Sequence, residues 1–307
     1  MGMKKITAMA VCGMVVFAGS AFAQFKPTHI PANATWVAQL DAKEFLKSAA
    51  APVILQLLDE AALRQIAAIH AATGLNLTND IDTVVLFGSG STQETAALSL
   101  YGRFDSARIT AILGMSKDFQ NQALGQRSVL SWTDNAQQQN LCFVDPTHVI
   151  LSRNTKAVMD AVKQADSRGG TANAALTTAL TPSPKRFCVL QVNNVADFVA
   201  DNQQLVVLKG TDSLILELST AADSGDIAGS VQFKGGDVEQ ATLFHQVLLG
   251  LQAILTLQAK DNPEGALLAQ QAKIERHDHL VNLRLNLPQQ MLKQLVDAHI
   301  AKRQAQP

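Results

Sequence analysis

The chain has few cysteines and few tryptophan or tyrosine residues, and these scarcities argue against several classes of protein. It contains 3 cysteines in 307 residues, and no two of them have the short spacing of a zinc site or of a disulfide scaffold. It contains 2 tryptophans and 1 tyrosine, the side chains on which sugars and single-stranded nucleic acids usually stack. We therefore expect no metal site built on cysteines, and a carbohydrate-binding role is disfavoured.

The chain also lacks a strong charge of either sign. It has 25 Lys and Arg against 26 Asp and Glu, a formal net charge of −1, and no basic run, so we expect no nucleic-acid partner. Beyond the N-terminal segment, no apolar run reaches the length of a membrane span. The most apolar stretch, Leu243–Leu257, is interrupted by His245, Gln246, Gln252 and Thr256. This pattern predicts a buried helix.

The first 23 residues have the pattern of a secretory signal peptide. Two lysines stand near the start, Ile6–Ser20 is largely apolar, and Ala21–Ala23 forms an A-x-A cleavage site before Gln24. An uncleaved N-terminal anchor is the alternative interpretation. We expect cleavage after Ala23 and export to the periplasm or the extracellular space, with no transmembrane span in the mature chain.

Two parts of the remaining chain repeat the same order of patterns. Trp36–Phe45 is similar to Cys188–Phe198, and both continue into a pair of strand-like runs and a capped helix. Each part closes with a histidine-led strand, beginning at His148 in the first and at His279 in the second. The chain is therefore predicted to contain a first repeat at 24–165, a linker at 166–184 and a second repeat at 185–307.

The strand connections decide the predicted fold class. Gly88–Thr92 joins two strand-like runs, and a link this short requires antiparallel pairing. We predict an α+β fold of two similar repeats, each an antiparallel sheet with helices packed on one face. Whether the repeats share one sheet is left open, although a shared sheet would hide two exposed strand edges.

One long helix is predicted early in the first repeat. Pro52 suits a helix start and Gly74 suits a left-handed stop. Apolar residues between them recur every three or four positions, which predicts a single buried stripe. Asp59 and Glu60 lie off that stripe and are interpreted as a solvated helix face.

Sequence motifs of known chemistry are missing. The chain has no G-x-S-x-G, H-E-x-x-H, phosphate-loop or EF-hand pattern. His277 and His279 flank Asp278 and have metal-ligand chemistry, but the repeat alignment places them on a turn, which predicts a solvated hairpin tip. His148 and His279 are interpreted as two independent surface histidines, with pairing between them as the alternative. No catalytic, cofactor-binding or metal-binding residue is predicted, and no cofactor.

Two cysteines remain after the predicted cleavage, Cys142 and Cys188. Both stand in strand-like runs, and an exported chain permits a disulfide between them. The alternative is that each is a small buried apolar side chain. The sequence leaves both possibilities open.

Three segments together resemble a known family. The turn Pro31–Thr35, the strand entry Gly74–Asp82 and the stretch Tyr101–Asp105 are similar to uncharacterised exported bacterial proteins of the DUF3352-like kind. The resemblance implies an exported, duplicated α+β scaffold of unknown activity. It implies no catalytic residue.

Three functions are compatible with these patterns. The leading hypothesis is a non-enzymatic binding or assembly factor of the periplasm or envelope, with a protein partner. The first alternative is a binder of a small apolar or lipid ligand, suggested by the apolar stretch Leu243–Leu257. The second alternative is a hydrolase whose site is assembled from distant residues.

Overall fold

The computed structural model describes residues 25–90, 92–167, 173–181, 183, 185–199, 208–221 and 226–304. The predicted signal peptide, residues 1–23, lies outside the described residues. The chain divides into two compact units. The first unit comprises the described residues up to Leu46 together with Leu58–Thr181, and the second comprises Lys47–Leu57 together with the described residues from 183 onward.

The first unit contains seven of the described strands. They are β1 (Trp36–Asp41), β2 (Ile81–Gly88), β3 (Ala96–Gly102), β4 (Gln120–Leu124), β5 (Arg127–Asp134), β6 (Gln137–Asp145) and β7 (His148–Ser152). Their order in the sheet is β1-β2-β3-β7-β6-β5-β4. Each neighbouring pair is antiparallel, as the short connections in the sequence predict.

The helices up to Ala179 are mostly short. They are α1 (Ala42–Lys47), α2 (Ala51–Ile54), α3 (Glu60–Thr73), α4 (Leu77–Asp80), α5 (Ser106–Leu113), α6 (Thr155–Asp166) and α7 (Ala174–Ala179), with 3₁₀ turns at Pro27–His29, Leu55–Leu57 and Gln93–Thr95. The α6 helix covers the sheet because its apolar residues recur at helical spacing, so that Val158, Ala161 and Val162 are all buried. Asn154 begins α6 by accepting hydrogen bonds from the backbone N–H groups of the first turn.

The described part of the second unit contains the five remaining strands and, besides α2, four helices. The strands are β8 (Arg186–Asn193), β9 (Thr211–Thr220), β10 (Ile227–Gly235), β11 (Ala272–His277) and β12 (Leu280–Leu287). The helices are α8 (Val195–Phe198), α9 (Val238–Leu257), α10 (Pro263–Gln271) and α11 (Gln289–Gln304). The strand order is β8-β9-β10-β12-β11, with antiparallel pairing throughout.

The predicted fold class of two repeats with a sheet each is wrong. The 12 described strands form one sheet, in the order β11-β12-β10-β9-β8-β1-β2-β3-β7-β6-β5-β4. Two open sheets would present four edges of unpaired backbone groups, and one continuous sheet presents two. The α+β mixture of helices with an antiparallel sheet is as predicted.

The predicted long helix from Pro52 to Gly74 is also wrong. It is broken after Leu57, and a separate helix, α3, starts behind Asp59, whose carboxylate accepts a hydrogen bond from the N–H of Ala62 at 2.8 Å. Asp59 is therefore an N-cap rather than part of a solvated helix face. The segment before the break lies in the second unit, where the Arg303 guanidinium donates to the carbonyl of Leu57 at 3.1 Å.

Gly74 ends α3 as predicted, with a left-handed φ of 74°. The helix is less buried than its apolar stripe suggests. Ala62, Ile66 and Ile69 are the inward positions, but they are only half-buried, and no residue of α3 is fully buried. The helix is held at its C-terminal end instead, where Arg108 donates to the carbonyls of Ala71 and Ala72.

Candidate functional site

The α9 helix, Val238–Leu257, is the most unusual surface element of the second unit. Asp237 caps its first turn by accepting a hydrogen bond from the N–H of Gln240 at 2.8 Å. From Gln240 to Ala259 the sequence has no Asp, Glu, Lys or Arg. Within the described part of the chain, α9 is one helix whose length and composition would suffice to cross a membrane.

One face of α9 packs on the sheet near its N-terminal end. Ala241 and Phe244 are buried there together with Phe233 of β10 and Val281 of β12. The rings of Phe233 and Phe244 have centroids 4.5 Å apart and planes inclined by 60°. Aromatic pairs favour such tilted contacts, and this cluster fixes which side of α9 faces the sheet.

A polar side chain fastens the C-terminal half of α9. The Gln252 amide donates to the carbonyls of Ala269 and Ala272, at 2.7 and 2.9 Å. These two carbonyls lie at the end of α10 and the start of β11, and the Ala269 carbonyl also accepts a hydrogen bond from the N–H of Ala272. Gln252 interrupts the apolar sequence but lies on the inner face of the helix.

The outer face of α9 carries apolar side chains in solvent. Of the ten large apolar residues that are exposed in the described chain, seven belong to this helix, with 41–87% of each accessible. They are Val238, Leu243, Val247, Leu249, Leu251, Ile254 and Leu257. A concentration of exposed apolar side chains on one helix is typical of an interaction surface. The sequence prediction of a buried helix is therefore wrong for this face.

A small cavity lies beside the packed end of α9. It measures about 180 Å³ and is lined mainly by apolar groups, including Phe233, Ala241, Leu243, Phe244 and Val281. Pockets for drug-sized ligands occupy roughly 300–1,000 Å³. The cavity can hold a short apolar group but not a whole lipid.

A second cluster, of rings, lies in the first unit. His148 stacks on Tyr101 with ring centroids 4.2 Å apart and on His29 at 5.3 Å. The Tyr101 hydroxyl lies 3.0 Å from Nδ1 of His29, and Phe25 meets the edge of Tyr101. The cluster therefore attaches the segment that follows the predicted cleavage site to β3 and β7.

Ser99 and His148 have the contact of a nucleophile with its base, since Ser99 Oγ lies 3.2 Å from His148 Nε2. Both residues are only 2% exposed, so a substrate has no access to the hydroxyl. Burial, followed by the nearby His29, lowers the pKa of His148 to about 3, far below the range of a useful general base. Burial also raises the pKa of Tyr101. The cluster is structural, and the prediction of His148 as a surface histidine is wrong.

The histidines singled out by sequence lie elsewhere. His277 ends β11, Asp278 has a φ of 50°, and His279 completes the turn before β12. All three are exposed. Among the described residues, no group of three or more His, Cys, Asp and Glu could hold a metal ion.

Cys142 and Cys188 are thiols, and no disulfide joins these two described residues. Cys142 lies in the interior of β6, where burial raises its pKa to about 11. Because the thiolate is the reactive form, Cys142 is chemically inert at neutral pH. The sequence leaves open a disulfide or two buried apolar side chains. Cys142 is buried, as the second alternative states, and Cys188 is half-buried in β8.

An open groove on the second unit is lined by charges. It measures about 470 Å³ and includes Arg186, Glu217, Lys273, Glu275 and Arg284. Its two carboxylates are already paired, Glu217 with Arg186 at 2.5 Å and Glu275 with Arg284 at 3.4 Å. A pair of carboxylates available for acid–base chemistry is therefore not found in this groove.

Comparison with known proteins gives little. No protein-family model matches the chain, and no curated protein matches it either. A chain from the solved structure described as "Structure of crystal form I of TP0453" has a TM-score of 0.49 and 10% sequence identity, covering 90% of this chain and 98% of that one. A likeness of this size carries no argument about function.

Proposed function

We propose that the chain is an exported, non-enzymatic binding or assembly factor of the cell envelope. The observation that carries the proposal is the outer face of α9, with seven exposed apolar side chains and no charge over the helix interior. A helix that is apolar all round is normally buried. Here the sheet covers only one side, so a protein partner is expected to cover the other.

Export is supported by the sequence of the first 23 residues. An A-x-A site before Gln24 and an apolar stretch too short for a comfortable span are typical of a cleaved signal peptide. Intact-mass measurement of chain recovered from the periplasm checks this directly. A mass that starts at Gln24 supports export with cleavage, and a full-length chain retained in the cytoplasm contradicts it.

Binding through α9 can be tested with a photo-reactive amino acid at Leu251. Leu63 of α3 is the matched control, because its side chain is 51% exposed against 50% for Leu251. We expect a defined cross-linked product, with its partner peptide identified by mass spectrometry, from position 251 and not from position 63. Equal products at both positions, or none at 251, would contradict the proposal.

A second candidate function is the binding of a small apolar ligand, and the cavity beside Phe244 is the observation that favours it. Its volume fits a short apolar group, such as the end of an acyl chain. Native mass spectrometry of the purified chain tests this candidate. A co-purifying apolar mass that is displaced by a fluorescent fatty acid supports it, and a ligand-free spectrum without dye binding speaks against it.

A further inference from the structure

Gly250 lies in the middle of α9, and no contact within the described chain requires a glycine at this position. A Cβ at this position would meet no other atom within 4 Å. Glycine inside a helix destabilises it by about 1 kcal/mol relative to alanine. Crowding within the described chain therefore does not account for the glycine. Close approach of a second helix backbone is a usual reason for a small residue on an exposed helix face.

The apolar residues around Gly250 are arranged symmetrically. Leu243 and Leu257 stand seven positions before and after it, and Val247 and Ala253 stand three positions before and after it. All five positions are exposed, and Gly250 lies opposite the buried Ala241, while Leu243 and Val247 also border the small cavity beside Phe244. A two-fold axis pairs each residue of one copy with its counterpart in the other, and so needs a self-complementary surface. The outer face of α9 has this property at these apolar positions, whereas the exposed Gln246 would face Ile254 of the other copy.

The composition of the face also suits a second copy of the same helix. Two such faces bring no charged side chain into contact, so no charge has to be buried. A helix of 20 residues is about 30 Å long. Its exposed apolar side chains would form the apolar core of an interface, for which the standard size is roughly 800 Å² per partner.

A membrane surface fits the same face less well. Helices that lie at or cross a bilayer interface usually carry Trp, Tyr, Lys or Arg near their ends. Between Gln240 and Ala259 the chain has none of these residues, and within three positions of either helix end Lys260 is the single one, while the N-terminal end carries the acidic Asp237 and Glu239. The inner face of α9 is also fixed, by Phe244 against Phe233 and by Gln252 against two carbonyls.

We propose that two copies of the chain associate through α9, as an antiparallel helix pair that crosses at Gly250. In this arrangement Leu243 faces the partner's Leu257, and Val247 faces the partner's Ala253. The inference rests on the proposed function, because it names the partner of the same surface.

Sedimentation velocity of the purified full-length chain over a range of concentrations measures the association. We expect dimers at tens of micromolar for the native chain and monomers for Val247→Glu, whose position is 48% exposed and borders the small cavity beside Phe244, with the melting temperature measured alongside to show that the variant is folded. Leu63→Glu, on exposed α3, is the control and should stay dimeric. A native chain that is monomeric at every concentration, or a Val247→Glu chain that still dimerises, overturns the proposal.

Cysteine cross-linking tests the position of the axis. A residue on a two-fold axis faces its own copy, so under mild oxidation Gly250→Cys should give more reducible dimer than a cysteine elsewhere on α9, although the added side chain weakens the non-covalent association. Thr256→Cys is the matched control, an exposed position on the same helix but well away from the Gly250 line. The native chain, which contains Cys142 and Cys188, measures how much cross-linked dimer forms without the added cysteine. Equal yields from the two variants would overturn the crossing at Gly250.

The outcomes separate this inference from the proposed function. If the native chain is monomeric but Val247→Glu abolishes cross-links from Leu251 to another protein, the dimer is wrong and the binding function stands. If the monomer floats with vesicles of phosphatidylethanolamine and phosphatidylglycerol, a membrane covers α9 and both the dimer and the protein partner are wrong. If the monomer gives neither result, both proposals are wrong.

Discussion

His148 and Tyr101 stack ring on ring, with centroids 4.2 Å apart and planes within 17° of parallel. The contact follows from strand register, because the two residues are direct partners across β7 and β3. It places an ionisable imidazole in the interior of the first unit, 2% exposed, with Nδ1 lacking a hydrogen-bond partner among the described residues. Such a group is tolerated only while it is neutral.

Acidification should therefore destabilise the fold. The folded pKa of His148 is about 3 against an ordinary value of 6.5, so the unfolded chain takes up the proton first as the pH falls. The stabilising effect is complete above pH 6.5 and is lost progressively toward pH 3, with a limiting slope of about 1.4 kcal/mol per pH unit. Burial also lowers the pKa of His29. Protonation of His29 therefore adds to the loss of stability on acidification. Urea unfolding between pH 7.5 and pH 4 measures the slope.

His148→Phe is the informative variant for this test. Phenylalanine keeps a ring against Tyr101 but has no proton to gain, so the slope between pH 6.5 and pH 4 should become shallower than that of the native chain. Asp145 and Arg127 also influence His148, and both remain in the variant. If the native chain and His148→Phe show the same pH dependence, His148 is not the responsible group.

Gln252→Leu should destabilise the second unit although it makes α9 more apolar. The substitution leaves the carbonyls of Ala269 and Ala272 without their shared donor, at a cost of about 1–3 kcal/mol. Gln246→Leu is the control, because Gln246 is exposed on the same helix and should change the free energy of unfolding by less than about 0.5 kcal/mol. Denaturant unfolding compares the two. An equal effect of both changes would show that the inner hydrogen bonds do not matter.

The strands could be predicted because their signal is local. The sequence patterns place strands at β2, β3 and β7, and short connections dictate their antiparallel pairing. The edge strand β4 has no such signal, since Gln120–Leu124 is polar and exposed on both faces. The joining of all strands into one sheet depends on which edges meet in the folded chain, and no local pattern specifies that.

For the helix of the candidate site, the sequence likewise predicts where the helix lies but not which of its faces are covered. Apolar spacing predicts a helix over Leu243–Leu257, and α9 confirms it. Spacing does not tell which faces are covered, because the sheet meets only the side of Ala241 and Phe244. Apolar spacing also predicts one continuous helix through Leu58 and Asp59. In the structure Asp59 is instead the N-cap of a new helix, α3. The burial of His148 depends on pairing with Tyr101, a residue 47 positions away.

Gly102→Ala should be among the most damaging single substitutions in the first unit. A Cβ at the end of β3 would lie 2.0 Å from the carbonyl oxygen of Asp80. That carbonyl accepts a hydrogen bond from the N–H of Arg103 at 2.8 Å, so the backbone cannot shift without breaking it. We expect a loss on the order of 3 kcal/mol in the free energy of unfolding.

Gly229→Ala is the control for Gly102→Ala, because both glycines lie in strands. At Gly229 the nearest atom to a new Cβ is a methyl carbon of Leu218 at 3.4 Å, an ordinary contact with a movable side chain. Thermal melts should show a large fall for Gly102→Ala and little change or a gain for Gly229→Ala. A mild effect of Gly102→Ala would mean that the close approach of β3 to Asp80 relaxes easily.

Gly250→Ala should have opposite effects on the single chain and on its association. In the monomer the new methyl group meets open space, and alanine is favoured over glycine in a helix, so stability should rise by about 1 kcal/mol. In the proposed dimer the same methyl group lies at the crossing point, where it keeps the two backbones apart, and the dissociation constant should rise. The first effect is measured by denaturant unfolding of the chain carrying Val247→Glu in addition, which is monomeric under the proposal, and the second by sedimentation of Gly250→Ala alone. An increase in stability without any change in association would place the crossing point elsewhere on α9, whereas a loss of stability in the monomer would show that Gly250 is needed by the fold itself.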